Sequence, residues 1–153
     1  MNRKQFIKQS FFTIALASAG ITTLNFADKR FVFQNANDRI RIGVIGINGM
    51  GWINTLSLLK VPNIELVAIC DVDQKIIHPK IQSIKNQLKT IDVYYDYRFL
   101  LERKDIDAVV FGAPVHWHAL MTIHALQLGK HVYVEKPLGN SIGECHAMVK
   151  AQA

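Results

Sequence analysis

The sequence predicts a doubly wound α/β fold with a parallel sheet of about five strands, and three observations predict it. From residue 39 onward, short runs of β-branched apolar residues alternate with longer stretches of helical spacing. The runs at 64–70 and 108–111 are apolar almost throughout, as suits strands covered on both faces. A glycine-rich turn, Gly46-Ile47-Asn48-Gly49-Met50-Gly51, joins the first apolar run to the first helical stretch. Strand, helix and strand in succession imply parallel pairing, right-handed crossovers and helices on both sheet faces.

Each element has its own signal. Residues 39–46 read as a strand carrying Ile40, Ile42, Val44 and Ile45, and residues 49–60 as a helix that Pro62-Asn63 breaks. Residues 64–70 form the second strand. Residues 73–88 are polar with Ile76, Ile77, Ile81 and Ile84 at helical spacing, which predicts an amphipathic helix. A short strand at 92–95 leads into a brief helix at 97–103. A buried strand is expected at 106–111, a helix at 115–128 ended by Gly129, a fifth strand at 131–134 and a last helix from 142 to 151. No internal repeat or low-complexity segment interrupts the alternation.

Composition narrows the function classes. The 153 residues are enough for one core, and 50% apolar with 20% charged residues describes a globular chain. The formal charge of +6 does not point to nucleic acid, because Arg3, Lys4 and Lys8 lie in a leader and the other basic residues are scattered. Cys70 and Cys145 are too few and too far apart for a metal cluster, and Cys70, within an apolar strand, reads as a buried thiol. The paired histidines His116 and His118 have no carboxylate or thiolate at ligand spacing, so no metal site is expected.

The first residues differ from the rest. A basic segment at 2–8 precedes an uncharged apolar stretch at 11–19, and Ala17-Ser18-Ala19 has the small residues of a cleavage site. Residues 1–27 are therefore expected to be an export signal and 28–38 a polar linker, with the fold confined to 39–153. The signal resembles the twin-arginine type with lysine in place of the second arginine, and an ordinary Sec signal is the competing reading. The implied location is periplasmic, with residues 21–26 able to lengthen the apolar stretch into an uncleaved anchor.

The glycine turn departs from Gly-x-Gly-x-x-Gly, since Asn48 takes the second glycine position and Gly49 is additional. Its context carries the reading: it follows a strand, opens a helix, and is followed about 25 residues after Gly46 by Asp71 at the next strand's end. Gly46 would allow the sharp turn, Gly49 the approach of a pyrophosphate, and Gly51 the packing of helix on strand. The helix N-terminus would face the phosphates. Asn48 is expected to substitute for glycine because asparagine tolerates left-handed backbone. Asp71 would accept hydrogen bonds from the adenosine ribose and, with Asp73, repel a 2′-phosphate, which favours NAD over NADP. The competing readings are an ordinary strand–helix connection and, for Asp71, a helix N-cap.

Two later segments also follow strands, Gly112-Ala113-Pro114-Val115-His116-Trp117-His118 and Glu135-Lys136-Pro137. With the Gly46 turn, Cys70-Asp71-Val72-Asp73 and His131-Val132-Tyr133-Val134 ahead of Glu135, they make the chain from residue 39 onward resemble the glucose–fructose oxidoreductase/inositol dehydrogenase (Gfo/Idh/MocA) family. The resemblance implies a Rossmann-type cofactor domain in which Gly46, Asn48, Gly49 and Met50 meet the pyrophosphate and Asp71 the adenosine ribose. It places Pro114, Val115, His116, Trp117 and His118 along the cofactor toward its nicotinamide side, and Glu135 and Lys136 beside the nicotinamide ribose and ring. Lys136, ahead of an implied cis Lys–Pro bond, is the expected catalytic residue, polarising the reacting hydroxyl or relaying its proton. Similar NAD-dependent glycosidases often lack this lysine.

Other readings stand beside these. Lys136 could be solvated at a strand end, His116 and His118 could be helix-start residues with His118 packed against the sheet, and Trp117 could be core or cofactor wall. His124 and His131 carry no motif and read as structural. Family members continue into a sixth strand and a second domain that holds the sugar or polyol pocket, and the full-length proteins form oligomers. The chain is therefore expected to be an incomplete cofactor domain of an NAD(P)-dependent oxidoreductase. A glycosidase of the same fold, a non-catalytic NAD-binding module and a truncated product without function are the alternatives.

Overall fold

The computed structural model describes residues 39–87 and 90–153. The expected export signal, the linker and the last residue of the expected 73–88 helix lie outside the described residues. Five strands, β1 (Ile40–Ile45), β2 (Ile64–Cys70), β3 (Asp92–Tyr94), β4 (Ala108–Phe111) and β5 (His131–Val134), form one sheet in the order β3-β2-β1-β4-β5. Every pairing is parallel. The helices are α1 (Gly49–Leu58), α2 (Gln74–Ile84), α3 (Tyr97–Leu101), α4 (Val115–Gln127) and α5 (Ile142–Gln152), with a 3₁₀ turn at Lys85–Gln87 extending α2. This is the doubly wound, Rossmann-type arrangement that the alternation predicts.

Strand periodicity divides the core into two layers. Ile42 and Val44 of β1, Leu66 and Ile69 of β2 and Val110 of β4 pack with Ile77 and Ile84 of α2, and Trp52 and Leu56 of α1 lie against them. Ile45, Ala68, Cys70, Val109 and Phe111 point to the other face, against Leu100 and Leu101 of α3 and Met121 and Ala125 of α4. Fully burying each branched or aromatic side chain contributes about 1.5–3 kcal/mol. The two layers account for the near-continuous apolar runs of β2 and β4.

Several boundaries differ from expectation for local reasons. The first helix stops at Leu58, because the amides of Lys60 and Val61 bond the carbonyls of Ser57 and Leu58 in a tightening turn ahead of Pro62. Asp73 is the cap of α2, its carboxylate accepting from the Lys75 amide at 3.0 Å, so the helix starts one residue later than the spacing suggests. After Ile84 the apolar face of α2 ends and the backbone tightens to 3₁₀. The third helix is shorter than 97–103 because Arg103 turns away to pair with Asp92 and Asp105. The fourth strand begins at Ala108, and just ahead of it Asp107 binds Arg41 twice, its carboxylate accepting the Arg41 amide at 2.8 Å and its own amide donating to the Arg41 carbonyl at 2.9 Å.

The end of the sheet opposite the glycine turn is tied by buried charge. Lys130 is only 6% exposed, and its ammonium donates to the carbonyls of Arg103 (2.6 Å) and Ile106 (3.0 Å). Burial pushes its pKa down. The Arg103 guanidinium beside Asp105 holds that carboxyl at about 2.

Candidate functional site

The strand order reverses between β1 and β4, and a crevice of about 730 Å³ opens at their carboxyl ends, the usual ligand position in such sheets. Gly46, Asn48, Asp71, Pro114 and Trp117 line it.

The glycine turn is shaped by how close three backbone segments come. Gly46 has φ +81°, which lets the chain leave β1 sharply. A Cβ on Gly51 would lie 1.9 Å from the Gly46 carbonyl oxygen, and one on Gly112 would lie 2.3 Å from the Gly51 Cα. The start of α1 therefore rests directly on the end of β4. A Cβ on Gly49 would meet nothing within 4 Å, so that position faces open space, and Met50 beside it is 50% exposed. This outward cradle at a helix start without acidic residues in its first turn fits a phosphate group.

Asn48 does not act through left-handed backbone. Its φ of −95° and ψ of 162° are extended, and its side chain caps α1 by accepting from the Gly49 amide at 3.0 Å. An asparagine fits there because a helix cap needs a short side-chain acceptor.

Asp71 is not the cap of α2, a place that Asp73 fills. One carboxylate oxygen of Asp71 accepts the Ile47 amide at 2.9 Å, and the other accepts the Asp73 amide at 3.0 Å. The residue at the end of β2 is thereby fixed to the glycine turn after β1. Cys70 beside it is buried, and burial with the adjacent Asp71 charge pushes its thiol up to about 12, as expected of an inert core cysteine.

The segment after β4 splits in two. His116 is exposed and Trp117 is 40% exposed, its indole edge-on to Tyr97 at 6.3 Å between centroids. Trp117 thus walls the crevice. His118 turns inward and is 2% exposed, with Nδ1 2.8 Å from the Pro137 carbonyl and Nε2 2.8 Å from the Ala113 carbonyl. Of the two readings open for it, packing is the one seen: both ring nitrogens face main-chain oxygens, and the ring clips the turn after β5 to the turn after β4. His124 accompanies the wall, its Nδ1 2.9 Å from the Tyr97 hydroxyl.

After β5, Glu135 is partly buried and Lys136 is exposed, and the Lys136–Pro137 peptide is cis. The Glu135 Oε1 accepts from the Asn54 amide at 2.7 Å and from the Tyr133 hydroxyl at 3.1 Å. These two bonds hold its carboxyl below the usual carboxylate range. Asn54 belongs to no motif, and Tyr133, though it lies in the segment ahead of Glu135, carries no expected role there. An asparagine in a helix interior and a tyrosine 54% exposed on a strand are weak signals that local structure does not explain. Glu135 and Lys136 lie outside the crevice lining that holds Asp71, so the expected residues form two groups joined through α1.

A family model described as oxidoreductase family, NAD-binding Rossmann fold, matches residues 40–153. The chain belongs to the Gfo/Idh/MocA family. A glycosyl hydrolase family 109 protein of Shewanella sp. (strain MR-4) is 36% identical over 115 residues, covering 72% of this chain and 25% of that protein. Scyllo-inositol dehydrogenase from Lactobacillus casei, with bound NAD(H) and scyllo-inositol, superposes with a TM-score of 0.64 at 28% identity, covering 74% of this chain and 32% of that one. A 3-ketoreductase from Actinomadura kijaniata, in complex with TDP-benzene and NADP, gives a TM-score of 0.63 at 30% identity over 74% of this chain and 35% of that one. This Gfo/Idh/MocA chain spans between a quarter and about a third of the length of the curated relatives it matches. Its 40–153 segment is a nicotinamide dinucleotide-binding domain.

Proposed function

We propose that residues 39–153 form the cofactor half of an NAD-dependent oxidoreductase that moves hydride between the cofactor and a hydroxyl-bearing carbon of a sugar, polyol or related compound. The observation that carries this reading is the seating of Asp71, whose carboxylate is fixed by the Ile47 amide of the glycine turn at 2.9 Å. One side chain thus links the phosphate cradle to the position of the adenosine ribose. Its charge, next to that of Asp73, favours two free ribose hydroxyls over a 2′-phosphate, which selects NAD.

In this reading Gly46, Asn48, Gly49 and Met50 hold the pyrophosphate, and Pro114 to Trp117 flank the cofactor beyond it. Glu135 takes the nicotinamide ribose. His118 contributes by holding the turn after β5 rather than by touching the cofactor. A bound dinucleotide supplies the hydride acceptor. Lys136, an exposed ammonium directly after Glu135, polarises the substrate hydroxyl or helps move its proton. Substrate choice and subunit assembly belong, on the family resemblance, to a further domain.

Titration of the chain with NADH, followed by nicotinamide fluorescence, tests the reading. Saturable micromolar binding that Asp71→Ala weakens by about tenfold or more supports it. A linear response with no saturation overturns it.

The name carried by the Shewanella relatives favours a second reading, glycoside cleavage through transient oxidation of the sugar. Lys136 weighs against it. The two part on stoichiometry, because a dehydrogenase accumulates NADH with each turnover and such a glycosidase releases its leaving group with none. The basic and then apolar leader supports export to the periplasm, which fractionation and N-terminal sequencing of the mature chain would test.

A further inference from the structure

We infer that Asn54 is a positioning residue: from α1, it sets the Glu135 carboxylate against the nicotinamide ribose. The inference rests on the dinucleotide reading above and deepens it. Asparagine is a poor choice for a helix interior, since its side chain competes for nearby backbone. Here it spends its amide on a residue 81 positions away, donating to Glu135 Oε1 at 2.7 Å. Tyr133, on the strand that ends just before Glu135, donates to the same oxygen at 3.1 Å. Two donors on one oxygen fix the plane of the carboxylate and leave Oε2 without a side-chain donor among the described residues, available to a ribose hydroxyl.

Geometry separates this role from holding the loop in place. The turn after β5 is already attached on its other side, through His118 and the Pro137 carbonyl at 2.8 Å. Loss of Asn54 therefore leaves the loop where it is and removes one of the two donors that orient the carboxylate. The opposite consequence holds for binding. The helix that presents Gly49 to the pyrophosphate also carries Asn54 one turn further on, so a single rigid element spaces the two ends of the cofactor.

The groups facing the carboxylate are Asn54 on α1, Tyr133 on β5 and its neighbour Lys136. Hydrogen bonds from Asn54 first, then Tyr133, lower its pKa. Removing the Asn54 amide raises it, so the acid limb of NADH binding moves to higher pH. A residue that merely fills space would leave that limb in place.

The experiment compares the unaltered chain, Asn54→Leu and Tyr133→Phe, each titrated with NADH and with ADP, which lacks the nicotinamide half. Asn54→Leu should weaken NADH about tenfold, the low end for a hydrogen bond to a charged group, and Tyr133→Phe about threefold, the low end for an ordinary net hydrogen bond, with ADP affinity unchanged. The acid limb of the NADH-to-ADP affinity ratio should move upward in Asn54→Leu. Tyr133→Phe removes only one hydroxyl from an exposed ring, so it reports even if Asn54→Leu folds poorly. Equal losses for NADH and ADP, or NADH affinities matching the unaltered chain in both variants, overturn the inference alone. Absence of saturable NADH binding to the unaltered chain overturns the dinucleotide reading, and this inference with it.

Discussion

Gly112→Ala adds a single carbon between the end of β4 and the first turn of α1. The new Cβ would stand 2.3 Å from the Gly51 Cα, 2.6 Å from the Gly46 carbonyl oxygen and 2.9 Å from the Gly51 nitrogen. All three are backbone atoms, so no side chain can rotate away. Relieving the 2.3 Å approach to ordinary contact at about 3.5 Å requires strand and helix to part by about 1.2 Å. Overpacking that side chains can absorb costs about 1–3 kcal/mol, and with nothing free to yield the upper value of about 3 applies. The lower backbone entropy of unfolded alanine returns at most about 1 kcal/mol, leaving a loss of at least about 2.

For a domain of this size that loss lowers the melting temperature by roughly 8 °C. Gly49→Ala is the control, because its Cβ meets nothing within 4 Å and only the φ of +46° is penalised. It should lower stability less than Gly112→Ala yet weaken NADH, since the methyl points into the cradle. Thermal unfolding of the full chain by circular dichroism measures both. A Gly112→Ala melt within about 2 °C of the parent would refute the close-approach argument.

Four other perturbations probe separate parts of the molecule. Asp71→Ser should lower the preference for NAD over NADP by about tenfold or more, and an unchanged affinity ratio would remove Asp71 from cofactor choice. Lys136→Ala should abolish turnover in an active form of the protein while NADH affinity stays near the parent's; unaltered turnover would exclude the role given to that lysine. Lys130→Met should strand the carbonyls of Arg103 and Ile106 and cost about 1–3 kcal/mol, read as a lower urea midpoint at constant m-value. Asp105, held at about 2 against an ordinary 3.8, contributes stability that is complete above pH 3.8 and lost as pH falls through about 2. Its side chain is 35% exposed, so after solvent screening that contribution is on the order of 1 kcal/mol. Urea midpoints of Asp105→Asn and parent should therefore differ near neutral pH and converge toward pH 2.

The strands were legible because burial writes them directly into composition. The 64–70 and 131–134 runs match β2 and β5 residue for residue, as runs bounded by turn signals should. Helix ends were less so, since capping is a competition between neighbours: Asp71 and Asp73 are equally good acids, and only the direction in which the chain leaves β2 gives the cap to Asp73. His118 shows the same limit. A histidine at a helix start can face ligand or sheet, and its partners, the carbonyls of Ala113 and Pro137, come together only once β4 and β5 pair. Gly112 was visible as a residue of its segment but not as a contact, because its reason is the backbone of Gly51, 61 positions earlier. The bond from Asn54 to Glu135 is hidden for the same cause.

The two carboxylates of the proposed site are held by different means, and the difference has consequences. Asp71 is fixed by main-chain donors, the amides of Ile47 and Asp73, which no substitution short of proline removes. Its orientation is a property of the fold, so any chain that builds this turn and this strand end inherits it. Glu135 is fixed by two side chains, Asn54 and Tyr133, each replaceable without disturbing the sheet. On the reading proposed above, the imperfect glycine turn matters less than it first suggests, because the adenosine end would depend on backbone geometry that Asn48 preserves by capping α1. What remains adjustable is the nicotinamide end. There a change at position 54 or 133 would alter how the carboxylate meets the cofactor, and with it the setting of Lys136, while the cradle and Asp71 stay as they are.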